Sequence, residues 1–99
     1  MPKLQIDLQE GFAGDTVELW VNHQLAARYE SVSTDLRISL AQSHELELPP
    51  GDYHVEIRLP NRAIRASTDL SLQQDLYLGA SINDNRMQLR LQTENFIYM

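Results

Sequence analysis

Of the residues in this 99-residue chain, the three histidines, His23, His44 and His54, are the best suited to acid–base or metal chemistry near neutral pH. Either chemistry needs two or more such groups, or one with carboxylates, converging on a point. Only His54 has an acidic neighbourhood. With Glu45, Glu47 and Glu56 it could form a weak divalent-cation site if residues 43–48 and 53–59 pair as a hairpin; the plainer reading is a solvated Glu–His pair across two strands. The many Ser and Thr residues lie in no strand–turn–helix elbow, and no Ser, His and acid combination carries a local signature. Four glycines and no predicted helix leave little with which to build an oxyanion hole or a phosphate cradle. The chain therefore reads as non-catalytic, with no cofactor implied. An enzyme or metal-binding protein using His54 and its glutamates is the alternative.

Recognition chemistry has a clearer signal in the aromatic residues. Val17, Leu19 and Val21 point to one side of a strand, so Trp20 points to the other, out of phase with its own core face. In a hairpin joining residues 16–21 to 24–29, Trp20 opposes Leu25, and Ala27 and Tyr29 continue the same side. The result is an apolar stripe outside the core. Two outcomes are open: the C-terminal Phe96-Ile97-Tyr98-Met99 or the Gly11-Phe12-Ala13-Gly14 loop folds over the stripe, or the stripe is an interaction surface. The second outcome makes the protein a non-catalytic, self-associating or protein-binding module, with a homodimer expected. Trp20, Leu25 and Tyr29 would carry the surface, with Phe96 and Tyr98 as a second candidate. A carbohydrate-binding module is the other non-enzyme reading, Trp20 forming a platform for sugar rings and Glu18, Asn22 and Gln24 supplying hydrogen bonds.

Charge narrows the partners. Fourteen acidic residues against eight Lys and Arg give a net charge of −6, which repels phosphate backbones and anionic lipid headgroups alike, so neither nucleic acid nor a membrane is expected. Arg58, Arg62 and Arg65 around Pro60-Asn61 are the one local concentration of positive charge, and arginines flanking a turn are most often solvated. With no cysteine there is neither a disulfide framework nor a thiolate metal site, which suits a reducing compartment. Residues 3–8 alternate polar and apolar types, as in a strand and unlike a secretory signal, and no apolar run approaches the roughly 18 residues that span a bilayer. The cytoplasm is the default expectation.

The elements that must position these side chains are strands. Period-two alternation recurs from end to end, and no stretch of a dozen residues keeps helical spacing. Residues 43–48 and 53–59 bracket Pro49-Pro50-Gly51-Asp52, which predicts a hairpin with Leu48 facing Tyr53, Leu46 facing Val55 and Glu47 meeting His54. A second hairpin joins 76–82 to 87–92 through Asn83-Asp84-Asn85-Arg86, placing Leu78, Ala80, Ile82, Met87, Leu89 and Leu91 on one face. The third is the Trp20 hairpin, with Asn22-His23 as a two-residue turn. Residues 4–8, 36–40 and 64–72 complete about eight or nine short strands. Such a chain predicts one antiparallel two-sheet β-sandwich spanning residues 1–99, large enough to bury about two-thirds of its unfolded surface.

Three pieces of residues 17–72 carry a resemblance: Val21-Asn22-His23, Thr34-Asp35, and Leu48-Pro49-Pro50-Gly51-Asp52-Tyr53-His54-Val55. Together they resemble the small Greek-key sandwiches of the transthyretin-like and carboxypeptidase-regulatory-like group, in which a strand ends in Val-Asn-Gly and a Thr-Asp segment precedes a Pro-Gly-x-Tyr hairpin. The resemblance implies an immunoglobulin-like or prealbumin-like sandwich. Its enzymatic branch, the hydroxyisourate hydrolases, ends in Tyr-Arg-Gly-Ser, whereas this chain ends in Asn95-Phe96-Ile97-Tyr98-Met99, so that activity is not implied.

Overall fold

The computed structural model describes residues 1–97 and folds them into eight strands: β1 (Lys3–Leu8), β2 (Asp15–Val21), β3 (Gln24–Val32), β4 (Gln42–Glu47), β5 (Gly51–Leu59), β6 (Ile64–Leu72), β7 (Leu76–Asn83) and β8 (Arg86–Gln92). They form two four-stranded sheets, ordered β4-β1-β7-β8 and β3-β2-β5-β6. One side of each sheet is apolar by alternation, and the two apolar sides close on each other. Leu4, Ile6 and Leu8 of β1, Val17 and Leu19 of β2, Val55, Ile57 and Leu59 of β5, and Leu78 and Ala80 of β7 are sealed from solvent in one core. Each large aliphatic side chain buried there contributes about 1.5–3 kcal/mol of transfer free energy. The expected all-β sandwich is the observed fold. Every strand pair is antiparallel except β1 and β7, which run parallel with Ile6 beside Leu78 and Leu8 beside Ala80. Among the described residues no helix is long and apolar enough to cross a membrane.

Two of the three expected hairpins form as read. β7 and β8 pair Ile82 with Met87, Ala80 with Leu89 and Leu78 with Leu91, through Asp84 and Asn85, both at positive φ (53° and 58°). β2 and β3 turn through Asn22 and His23 at φ of 49° and 65°, the left-handed pair of a type I′ turn. The third expectation is overturned. Strands β4 and β5 lie in opposite sheets: β4 pairs with β1, His44 beside Ile6 and Leu46 beside Leu4, while β5 sits between β2 and β6. Pro49 and Pro50 have no amide hydrogen to donate across a ladder, and Leu48 gives its own N–H to the Pro2 carbonyl at 3.2 Å. The chain therefore crosses from one sheet to the other at the two prolines instead of folding back.

The strand expected over 36–40 is absent as well. Asp35 captures that segment locally: its carboxylate accepts the Arg37 amide at 3.0 Å, and its carbonyl accepts the Ile38 and Ser39 amides at 3.2 and 2.8 Å. Ser39 stands at φ 56°, and a single bridge between Asp35 and Leu40 closes the turn. Side chain–backbone bonds of this kind compete directly with a ladder, and here they leave Leu36 90% exposed.

Candidate functional site

Cross-strand register sets the outer face of the β3-β2-β5-β6 sheet in rows. One row reads Arg28, Glu18, Arg58 and Arg65 across the four strands; the next reads Leu25, Trp20, Glu56 and Ser67. Trp20 is thus on the outer face, as expected from its phase, with Leu25 beside it 49% exposed. The guanidinium of Arg58 lies over the Trp20 ring, 4.4 Å from its centroid. Glu56 holds it there, accepting Arg58 Nε–H at 2.6 Å and Nη2–H at 3.3 Å. Trp20 Nε1–H donates to Glu18 at 3.3 Å. The hydrogen bond from Arg58 keeps the Glu56 carboxyl below the usual carboxylate range against the opposing effect of burial, so at neutral pH the pair is fully ionised. Arg58 itself is pushed up by the same bond. A preorganised Arg–Trp stack of this kind contributes about 0.5–2 kcal/mol.

The expected stripe from Trp20 through Leu25 to Tyr29 is broken. A bulge between the Leu19–Ala27 and Trp20–Leu25 pairs inserts Ala26 as an unpaired residue, which flips residues 27–30 of β3 to the other side until a second shift before Val32 restores the phase. Ala27 and Tyr29 consequently pack against the core, and the Tyr29 hydroxyl is 2.5 Å from His44 Nδ1 on the opposite sheet. Among the described residues, neither segment proposed to cover Trp20 places its aromatic ring there. Phe12 inserts into the core, 4% exposed, and Phe96 packs on the outer face of the other sheet. Tyr98 lies outside the described residues.

The metal reading loses its geometry with the β4–β5 hairpin. Glu45 and Glu47 stand on β4 in one sheet, His54 and Glu56 on β5 in the other, so the four do not converge. Glu45 faces Lys3 at 3.6 Å. His54 Nδ1 meets Asp69 at 2.7 Å, and its ring stacks on His23 with centroids 5.2 Å apart. Among the described residues no group of three or more His, Asp or Glu side chains is arranged to hold a metal ion. The hydrogen-bonding groups named for a sugar at Trp20 are partly engaged within the chain, since Asn22 accepts the His54 amide and Glu18 accepts the indole N–H. Two of the three arginines near Pro60-Asn61 are also committed, Arg58 to Glu56 and Arg62 to Asp15 at 2.6 Å; Arg65 is exposed and paired across the ladder with Arg58.

The outer face of the β4-β1-β7-β8 sheet holds polar residues that alternation alone did not single out. Asp7 is 1% exposed although it points away from the core. It accepts Ser43 Oγ–H at 2.7 Å and Gln5 Nε2–H at 3.0 Å, and Gln5 also donates to Asn95 Oδ1 at 3.0 Å. Asn95 thereby straps the C-terminal segment over this face. Gly79 receives it: a Cβ on Gly79 would stand 2.8 Å from the Phe96 ring and from the Gln9 amide. An isolated glycine within a strand pattern is the sequence signal for such a close approach. Between the strap and the sheet runs an open groove of about 610 Å³, lined in part by Gln9, Ser81, Arg90, Gln92, Asn95 and Phe96.

Compared with protein-family models, with curated proteins and with solved structures, the chain matches none of them.

Proposed function

We propose that the protein is a non-catalytic interaction module that self-associates through the outer face of the β3-β2-β5-β6 sheet. The observation that carries this reading is Arg58 stacked on Trp20 and locked by Glu56 beside the half-exposed Leu25. Trp and Arg are the residue types that dominate binding energy at interfaces, and a stack already ordered in the free protein loses little side-chain entropy on docking. Charge supports a second copy of the same chain as the partner. The face carries Arg28, Arg58 and Arg65 together with Glu18, Glu30, Asp52, Glu56 and Asp69, so both signs of charge stand on it in a chain of net charge −6. A two-fold axis through such a face can set arginine against glutamate without accumulating like charge. The transthyretin-like resemblance belongs to this reading only as a likeness of architecture.

Molar mass measured by size exclusion with light scattering over a concentration series tests the proposal, with the wild type beside Trp20→Ser. A dimer that Trp20→Ser dissociates, with the β circular-dichroism spectrum unchanged, is the expected result. A wild type that stays monomeric at every concentration overturns self-association.

A further inference from the structure

We propose that the groove beneath the C-terminal strap is a binding site for a neutral, hydroxyl-rich ligand, a saccharide of one or two rings. It lies on the opposite face from Trp20 and does not depend on the self-association reading. Its walls are fixed by bonds within the chain. Asn95 Oδ1 accepts from Gln5 and from the Phe96 amide, Gln92 Nε2–H donates to the Glu94 carbonyl at 2.6 Å, and Ser81 Oγ–H donates to Gln9 Oε1 at 3.3 Å. Asn95 and Gln92 each spend one side of a bifunctional amide in these bonds and leave the other side to the groove, whereas Ser81 Oγ also accepts the Glu10 amide at 3.5 Å.

The Asn95 amide keeps its two N–H donors, Gln92 keeps its carbonyl oxygen, and the Arg90 guanidinium has no hydrogen-bond or ion-pair partner among the described residues. The spare set is therefore a mixture of donors and acceptors around an open groove, the two amides fixed by their bonds within the chain and the exposed Arg90 free to reach a ligand. A sugar hydroxyl both donates and accepts, which makes a polyol the chemical class that satisfies such a set; a phosphate, which only accepts at its ionised oxygens, would leave the Gln92 carbonyl oxygen without a donor and would meet Glu10 and Glu94, which also line the groove. The half-buried Phe96 ring, seated on the bare backbone of Gly79, adds an apolar edge of the kind against which the C–H side of a pyranose packs. A volume of about 610 Å³ falls in the range of small-ligand sites.

The test is a titration of the ¹⁵N-labelled full chain with maltose, cellobiose and lactose in turn, following backbone amide shifts. At least one is expected to move the amides of Gly79, Ser81 and residues 92–97 with a Kd of about 1 mM, the strength of a few hydrogen bonds on an open surface. Arg90→Ala, a change at an exposed side chain, is expected to weaken binding about tenfold, and Phe96→Ala to abolish it. Trp20→Ser leaves it unchanged. No shift with any of the three sugars, shifts confined to the Trp20 face, or equal affinity in Arg90→Ala each overturns the proposal, whatever the oligomeric state proves to be.

Discussion

Arg62→Gln removes one half of an ion pair that pins three segments together. Arg62 Nε and Nη2 stand 2.8 and 2.6 Å from the two oxygens of Asp15, at the start of β2, and Nη2 also donates to the Gly11 carbonyl at 3.0 Å. Asp15 is 5% exposed and accepts the Ala13 amide at 2.9 Å. Removing Arg62 leaves this carboxylate shielded from water with one remaining bond. Breaking a buried pair costs about 3–5 kcal/mol and an exposed pair less than about 1; with the Arg62 side chain 29% exposed, we expect about 2–3 kcal/mol. For a domain of this size that lowers Tm by about 10–20 °C. The pH dependence has a definite sign. The guanidinium hydrogen bond holds the Asp15 carboxyl below the ordinary carboxylate range, so the pair's contribution is complete above the unfolded value, about pH 4, and is lost as pH falls through the folded value. Urea melts of both proteins, followed by far-UV circular dichroism, should show a constant stability gap between about pH 5 and pH 8 that narrows below about pH 4. A gap under about 1 kcal/mol at pH 7, or one that does not narrow in acid, would refute the reasoning.

Gly79→Ala places a methyl group 2.8 Å from the Phe96 ring, so the strap should lift while the sandwich persists; faster chymotrypsin cleavage after Phe96 is the readout, and an unchanged rate would count against the socket. Tyr29→Phe deletes the hydroxyl that meets His44 across the two sheets and should cost about 0.5–1.5 kcal/mol in a urea melt, with no loss indicating that the contact is not made in solution. Leu36→Ser changes a side chain 90% exposed in the Asp35 turn and should alter stability by less than about 0.5 kcal/mol; a loss of several times that would mean Leu36 packs after all.

Alternation made the strands legible, because a residue's side of the sheet is set by its immediate neighbours in sequence. Turn chemistry was equally local: Asn22-His23 and Asp84-Asn85 adopt the positive φ that their types tolerate. Strand pairing is where that reading ended. Nothing within residues 43–59 distinguishes a hairpin from a crossing, because the partner of β4 is β1, some forty residues earlier in the chain. The candidate site was legible to the same depth. The outward phase of Trp20 and its pairing with Leu25 follow from one hairpin, whereas the bulge at Ala26 that turns Tyr29 inward depends on how β3 must bend over the core. Arg58 over Trp20 required knowing that β2 and β5 are neighbours. The strap could have been suspected from Gly79, an unsupported glycine between Leu78 and Ala80, but its contact with Phe96 could not.

The parallel pairing of β1 with β7 has a consequence for how the chain assembles as it is synthesised. Every strand of the β3-β2-β5-β6 sheet is drawn from residues 15–72, so that sheet can be completed without any pairing from the C-terminal quarter. β1 emerges first yet has only β4, an edge strand, to hold until β7 arrives to take its other side. Closing that pair ties residues 4–8 to 76–80, a loop spanning most of the chain, and contacts of such separation are the slow step in all-β folding. During that wait the apolar inner face of the finished sheet is only partly covered. The nascent chain is then most exposed to aggregation and to capture by chaperones.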